Sequence, residues 1–124
     1  MIEKANESSA GRNVMTASDI AQTIIDQIGG QRFTIMTGAR DFTFAELDGN
    51  VTLRFRIPGT MARNRINRVA IRYNAGSDDY TMTFENLRNV KGLPRIKRIA
   101  ETVGVYCDQL ASIFESETGL ATSL

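Results

Sequence analysis

Several arginines of this chain alternate with apolar residues, and their type and spacing suit the binding of an anion. Arg54, Arg56, Arg68 and Arg72 each stand one position away from an apolar residue in segments with a two-residue period. Side chains alternate between the two faces of a strand, so these four guanidinium groups would share the sheet face opposite the core. A guanidinium group binds phosphate or carboxylate through paired hydrogen bonds. The spacing therefore predicts an anion-binding sheet face.

Further basic residues flank this pattern. The loop "GTMARNR" (59–65) contributes two arginines at its tip, and five more bases follow the last clear strand. The predicted binding residues for an anionic partner are Arg54, Arg56, Arg63, Arg65, Arg68 and Arg72.

The charge is unevenly distributed along the 124 residues. The net charge of +1 is the sum of −3 over residues 1–50, +8 over residues 51–98 and −4 over residues 99–124. Clustered bases with few acids are typical of contact with a phosphate backbone, because each contact releases condensed counterions. The same pattern also occurs on sheet faces whose charges only keep an exposed edge soluble. Both interpretations stay open.

Catalysis is the function that the composition favours least. The chain has no histidine and a single cysteine, Cys107, so neither a Ser-His-Asp set nor a Cys-His pair can form within it. Zinc would lack its usual ligands, and an internal disulfide is excluded. We therefore expect a binding protein without enzymatic activity, cofactor or metal, and we expect Cys107 to be a buried thiol of the last helix.

The stretch "MTGAR" (36–40) invites comparison with a phosphate-binding loop. A loop of the Walker type needs several glycines and a lysine at the start of a helix. This stretch has one glycine and no lysine, and a strand-like segment follows it. A hairpin corner explains Gly38, since a tight turn needs a residue that tolerates positive φ. Arg40 remains a candidate anion contact.

Hydrophobic periodicity predicts the elements that would position these residues. Residues 1–15 are polar and aperiodic and are expected to form a tail, followed by a single domain over residues 16–124. Thr16 suits an N-cap, an apolar stripe with helical spacing follows, and Gly29-Gly30 suits the helix end. A second helix is expected from about Val103 to Thr118, with Tyr106 among its apolar residues.

Between the helices the period changes to two. Strands are expected around Phe33 and Ile35, around Phe42 and Phe44, over residues 51–57, 66–73 and 80–84, and, as a short strand, over residues 96–99. The predicted fold class is α+β, with an N-terminal helix, an antiparallel meander of four to five strands and a C-terminal helix. Both helices should pack on one face of the sheet.

Two longer stretches carry a resemblance to a known group. "QIGGQRFTIMTGARDF" (27–42) and "GVYCDQLASIFESETGLATSL" (104–124) resemble small proteins of bacteriophages and other mobile elements. In that group a helix ending in Gly-Gly precedes an "F..MTGA..F" strand and corner, and the chain closes with "GVY..QL...F...TGL.TSL". The resemblance implies a phage-type origin and an α+β domain. It assigns no role to any residue.

Two functions remain from the sequence. The first is contact with nucleic acid through the arginine-rich face, led by the backbone and weakly sequence-specific, because the aromatic residues fall on the apolar side. The second is an anti-defence protein of a phage that binds and blocks a host protein or nucleoprotein complex. We expect a homodimer or larger assembly. Since neither a membrane span nor a secretory signal is visible, the expected compartment is the cytoplasm, that of the host for a phage protein.

Overall fold

The computed structural model describes residues 16–122, and the predicted polar tail lies outside them. The described chain contains three α-helices and one five-stranded sheet. The strands follow the chain order β1-β2-β3-β4-β5, and every neighbouring pair is antiparallel. The predicted α+β meander between helices is confirmed. The strands are β1 (Arg40–Leu47), β2 (Asn50–Arg56), β3 (Arg68–Asn74), β4 (Asp79–Val90) and β5 (Leu93–Val105).

Helix α1 (Ala17–Ile28) forms where the sequence predicts it. Thr16 and Asp19 make a reciprocal capping box, in which each side chain accepts a hydrogen bond of 3.1 Å from the backbone N–H of the other. This box satisfies two N–H groups that a helix start leaves without partners. Gly29, at φ 139°, then turns the chain out of the helix.

The strand predicted around Phe33 and Ile35 is wrong, because these residues lie in helix α2 (Gly30–Thr37). A helix separates the two side chains: Phe33 is fully buried, whereas Ile35 is 72% exposed. Two threonines suit the helix, since their hydroxyls donate to the carbonyls four residues back. Gly38 ends α2 in the left-handed conformation, so its positive φ serves a helix end rather than a hairpin corner.

The C-terminal helix begins later than the sequence predicts. Strand β5 continues to Val105 and replaces the short strand expected over residues 96–99, and a 3-10 turn at Cys107–Gln109 precedes α3 (Leu110–Thr118). Cross-strand pairing of Thr102 with Met82 and of Val105 with Tyr80 holds this segment in the sheet. The apolar residues 103–106 therefore follow a strand period, and Tyr106 and Cys107 are exposed rather than buried.

All three helices pack on one face of the sheet. An aromatic cluster joins them to it: the ring of Phe33 lies 4.9 Å from that of Phe114 in α3 and 5.5 Å from that of Phe55 in β2, in both cases edge to face. Such contacts add to the free energy gained by burying the rings. The core also contains Val51, Leu53, Val69, Ile71, Met82 and Phe84 from the sheet, and Ile24, Ile28 and Leu110 from the helical layer.

Replacing Phe33 with alanine should lower the free energy of unfolding by about 3–5 kcal/mol, since a buried ring would be lost from the aromatic cluster. Ile35→Ala in the same helix is the matched control, and it should change stability by less than about 1 kcal/mol. Urea denaturation of both variants measures the difference. Equal losses would contradict the helical assignment, because a strand would place both side chains on the same face.

Candidate anion-binding face

The sheet face opposite the helices, here called the open face, carries the predicted arginines. Leu53 and Phe55 of β2 are buried under the helices, so the alternate residues Arg54 and Arg56 lie on the open face. Antiparallel sheets commonly leave one face to solvent in this way. No described helix contributes a side chain to the depression that this face contains.

One register line across the open face consists almost entirely of arginine. Arg40 of β1 pairs with Arg56 of β2, which pairs with Arg68 of β3. Arg68 pairs in turn with Glu85 of β4, and Glu85 pairs with Arg98 of β5. We call these four arginines the arginine row. Neighbouring strands lie about 4.8 Å apart, so the row extends roughly 19 Å across all five strands.

The arginine row is electrostatically unfavourable by itself. Like charges directly opposite each other on neighbouring strands destabilise a sheet, and Arg56 has an arginine on both sides. The Nε–H of Arg56 is also buried without a hydrogen-bond partner among the described residues. A buried donor without an acceptor costs free energy and calls for an explanation. An anion bound against the row would supply both the acceptor and the neutralising charge.

Arg68 is less exposed than the sequence suggests. Its Nε lies 3.7 Å from Oε1 of Glu85, and the side chains are only 23% and 17% exposed. Arg68 thus lies on the predicted sheet face, but Glu85 covers part of its side chain. The even spacing of Glu85 from Thr81 and Thr83 is the sequence signal that places this acid on the same strand face. The acid partly neutralises the row between β3 and β5.

Arg54 and Arg72 line a shallow depression of about 180 Å³ on the open face, which Arg98 of the arginine row and the acids Glu85 and Glu101 also border. Threonine hydroxyls of β2 and β4 form much of its floor. Arg72 is oriented by a hydrogen bond of 2.9 Å from its Nε to Oδ1 of Asn74. Arg54 lies opposite Ala70 and makes no ion pair among the described residues, so its guanidinium group can contact a ligand.

The two loop arginines have different surroundings. The Nη1 of Arg63 donates a hydrogen bond of 2.5 Å to the carbonyl of Ser116 near the C-terminal end of α3. An arginine in that place stabilises the helix end, so Arg63 has a structural role. Arg65 instead lines a depression of about 440 Å³ with Lys97 and Arg98. Arg65 therefore extends the arginine row, whereas Arg63 does not.

Arg40 and Arg98 were not among the six predicted binding residues, although they form the ends of the row. The sequence identifies Arg40 only as a lone candidate contact, and the bulge between Arg40 and Thr43 conceals its pairing with Arg56. Arg98 is placed by a second irregularity, at which Ile99 is passed over between β4 and β5. Bulges of this kind shift which residues face each other without a clear sequence signal.

Three titratable groups near the β3–β4 turn have pKa values shifted by their surroundings. Burial raises the pKa of Tyr80 to about 12, and its hydroxyl donates to Oε1 of Gln27. A hydrogen bond to Asp78 raises the pKa of Tyr73. Hydrogen bonds from Asn74 and Ser77 lower the pKa of Asp79. Both phenols are thus neutral near pH 7 and act as hydrogen-bond donors.

Residues 16–122 contain no group of three or more His, Cys, Asp or Glu side chains that could hold a metal ion. In the same part of the chain, no helix is both long enough and apolar enough to cross a bilayer. Comparison of the chain with protein-family models, curated proteins and solved structures finds no match. The resemblance to small phage proteins stays a prediction, and function is inferred from the geometry of the open face.

Removing the guanidinium group of Arg68 should destabilise the fold by roughly 1–2 kcal/mol, since Glu85 would be left partly buried without its partner. Arg68→Met measured by thermal unfolding tests this, and the double variant Arg68→Met/Glu85→Met should recover most of the loss. A single variant as stable as the parent protein would show that the pair contributes nothing to folding. In that case Arg68 would be as free for a ligand as Arg54.

Proposed function

We propose that this protein binds the phosphate backbone of nucleic acid through the open face. The observation that carries the proposal is the arginine row: four arginines in register across five strands, interrupted by one acid. A fold gains nothing from placing arginines opposite each other, because the repulsion is unfavourable. A ligand with closely spaced negative charges relieves that repulsion when it binds, and this relief adds to the binding free energy.

Nucleic acid matches the dimensions of the row. Duplex DNA carries one negative charge per 1.7 Å of its axis, so a stretch as long as the row presents roughly eleven charges. A small anion would contact only one or two of these guanidinium groups. An extended polyanion contacts all of them at once, including the Nε–H of Arg56, which has no acceptor among residues 16–122.

The open face is suited to backbone contact rather than to base stacking. Proteins that stack single-stranded bases present aromatic rings on the binding surface. Here the depression between Arg54 and Arg72 is lined by threonine, alanine and charged residues, without an aromatic ring. The described phenylalanines of the cluster, Phe33, Phe55 and Phe114, belong to the buried core. Binding should therefore depend strongly on salt and only weakly on base sequence.

A protein partner is the second candidate, and strand β1 is the observation that favours it. This strand lies at the edge of the sheet, and seven of its eight residues are exposed. Phe44 is 48% and Leu47 is 75% exposed. An exposed apolar edge strand is a template for pairing with another chain. A second copy of this protein, or the host factor of the anti-defence hypothesis, would cover it.

Arg56→Gln should weaken binding to a DNA oligonucleotide about 5- to 30-fold, because one charge-assisted contact at the centre of the row is lost. Arg32→Gln is the matched control: it removes the same charge from an exposed position of helix α2, which lies on the other side of the sheet. Fluorescence anisotropy over a salt series measures both. We expect Arg56→Gln to fold as stably as the parent, since it removes a repulsive neighbour.

Equal weakening by the two variants would contradict the proposal, because binding would then depend on net charge rather than on the open face. A parent protein without measurable affinity for DNA or RNA at low salt would also reject it. If the same protein then pairs through β1, the second candidate is favoured. Alanine or aspartate at Phe44 and Leu47 would test that candidate by light scattering.

A further inference from the structure

Strands β4 and β5 extend well beyond the rest of the sheet. The last contact of β3 with β4 is the pair Arg68 and Glu85, after which residues 86–90 pair only with residues 93–97. Lys91 and Gly92, at φ 54° and 81°, form the tight turn between them. We call residues 86–97 the basic ribbon. At about 3.4 Å per residue, it projects roughly 17 Å from the sheet.

The root of the basic ribbon is fixed by side-chain hydrogen bonds. The amide of Asn67 acts as a substitute for the missing strand: its Nδ2 donates to the carbonyl of Leu87 at 2.8 Å, and its Oδ1 accepts from the N–H of Leu87 at 2.7 Å. Asn86 donates from Nδ2 to the carbonyl of Arg65 at 2.9 Å. These bonds set the direction in which the ribbon leaves the sheet.

The ribbon has an unbalanced charge. It contains four bases, and no acid occurs anywhere in residues 86–100. Arg88 of β4 stands directly opposite Arg95 of β5, which repeats the like-charge pairing of the arginine row. Lys97 follows on the same ribbon face as Arg95, so both strands carry cations. The four bases of the basic ribbon are Arg88, Lys91, Arg95 and Lys97.

The opposite face of the ribbon carries an apolar pair at its root. Leu87 pairs with Ile96 there, and Ile96 is 53% exposed. A ribbon with cations on both strands and an apolar surface on one face suits a groove that has two negatively charged walls and a less polar floor. The major groove of duplex DNA has this arrangement, and it is wide enough, at about 12 Å, to admit a two-stranded ribbon.

We propose that the basic ribbon enters the major groove of double-stranded DNA while the open face holds the adjacent backbone. The inference rests on the proposed function and specifies its substrate as duplex DNA. Arg88 on one strand and Arg95 and Lys97 on the other reach the phosphates of the two groove walls. Leu87 and Ile96 contact the base edges, where the thymine methyl group is an apolar surface.

The open face continues into the apolar surface of the ribbon. Arg98 ends the arginine row opposite Glu85, and the pair Leu87 and Ile96 follows on the same face by strand alternation, so Lys97 projects from the reverse face. Lys97 and Arg98 border one depression of about 440 Å³ together with Arg65. A duplex whose backbone lies on the row therefore meets the apolar surface of the ribbon, and the long cationic side chains of the ribbon flank it. A flexible single strand needs no such projecting element, so the ribbon should matter for duplexes alone.

The double variant Arg88→Gln/Arg95→Gln tests the ribbon. Anisotropy should show at least a 10-fold loss of affinity for a 20-base-pair DNA duplex, and the slope of log K against log salt should fall by about 1.8. Affinity for the single strand should change less than 2-fold. The variant should be as stable as the parent or more so, because a repulsive pair is removed. Duplex RNA of the same sequence should bind the parent more weakly, since its major groove is too narrow.

Arg54→Gln/Arg72→Gln is the charge-matched control on the open face, and it should weaken single strand and duplex alike. Unchanged duplex affinity in the ribbon variant would overturn the ribbon inference and leave the open-face proposal standing. Displacement of the parent protein by netropsin, which occupies the minor groove, would also overturn the ribbon inference. Failure of the parent protein to bind any nucleic acid would overturn the proposed function itself.

Discussion

The edge-to-face contacts of Phe33 with Phe55 and Phe114 are the interaction on which the arrangement of this protein depends. They hold α2 and α3 against β2, on the same side of the sheet as α1. Because the helical layer and the aromatic core lie together, the other side of the sheet has no described helix over it. That side is available to the arginines, and the whole proposal for function follows from this one-sided packing.

The like-charge pairs on the basic surfaces lower the stability of the fold. Arg56 lies between two other arginines, and Arg88 lies opposite Arg95, at positions where opposite charges would stabilise the sheet. Acids relieve this repulsion in part, since Asp41 lies 3.6 Å from Arg40, Glu85 lies 3.7 Å from Arg68 and Glu101 lies 3.6 Å from Arg98, whereas Arg56 has no such ion pair among residues 16–122. Arrangements that cost folding free energy mark functional surfaces more reliably than exposed charge alone, since scattered surface charges contribute little either way.

Much of the fold follows from local sequence patterns. The capping box at Thr16 and the apolar stripe predict α1, and the alternation of Val51, Leu53 and Phe55 predicts β2 and the opposite placement of Arg54 and Arg56. Phe33 and Ile35 misled the prediction, because three alternating residues fit a strand as well as a short helix. The conformation of Gly29 and the aromatic partners of Phe33, which are distant in sequence, decide between the two.

The candidate site could be predicted only in part, for a related reason. Alternation within one strand identifies the face of an arginine, but the neighbours of that arginine depend on the register between strands. Two bulges set that register, and they bring Arg40 and Arg98 into the row. The sequence pattern does not predict the ribbon. Residues 86–97 mix apolar and basic residues, and they extend the two strands beyond the length that the core requires. The pairing of the ribbon is visible only in the structure.

A polyanion bound along the arginine row would change the environment of its guanidinium groups. An NMR titration of the arginine Nε–H signals with a DNA duplex measures this change. We expect the signals of Arg40, Arg56 and Arg98 to shift and to become protected from solvent exchange, and those of Arg32 and Arg63 to stay unchanged. Shifts confined to Arg32 and Arg63, or uniform small shifts of all arginines, would contradict binding along the row.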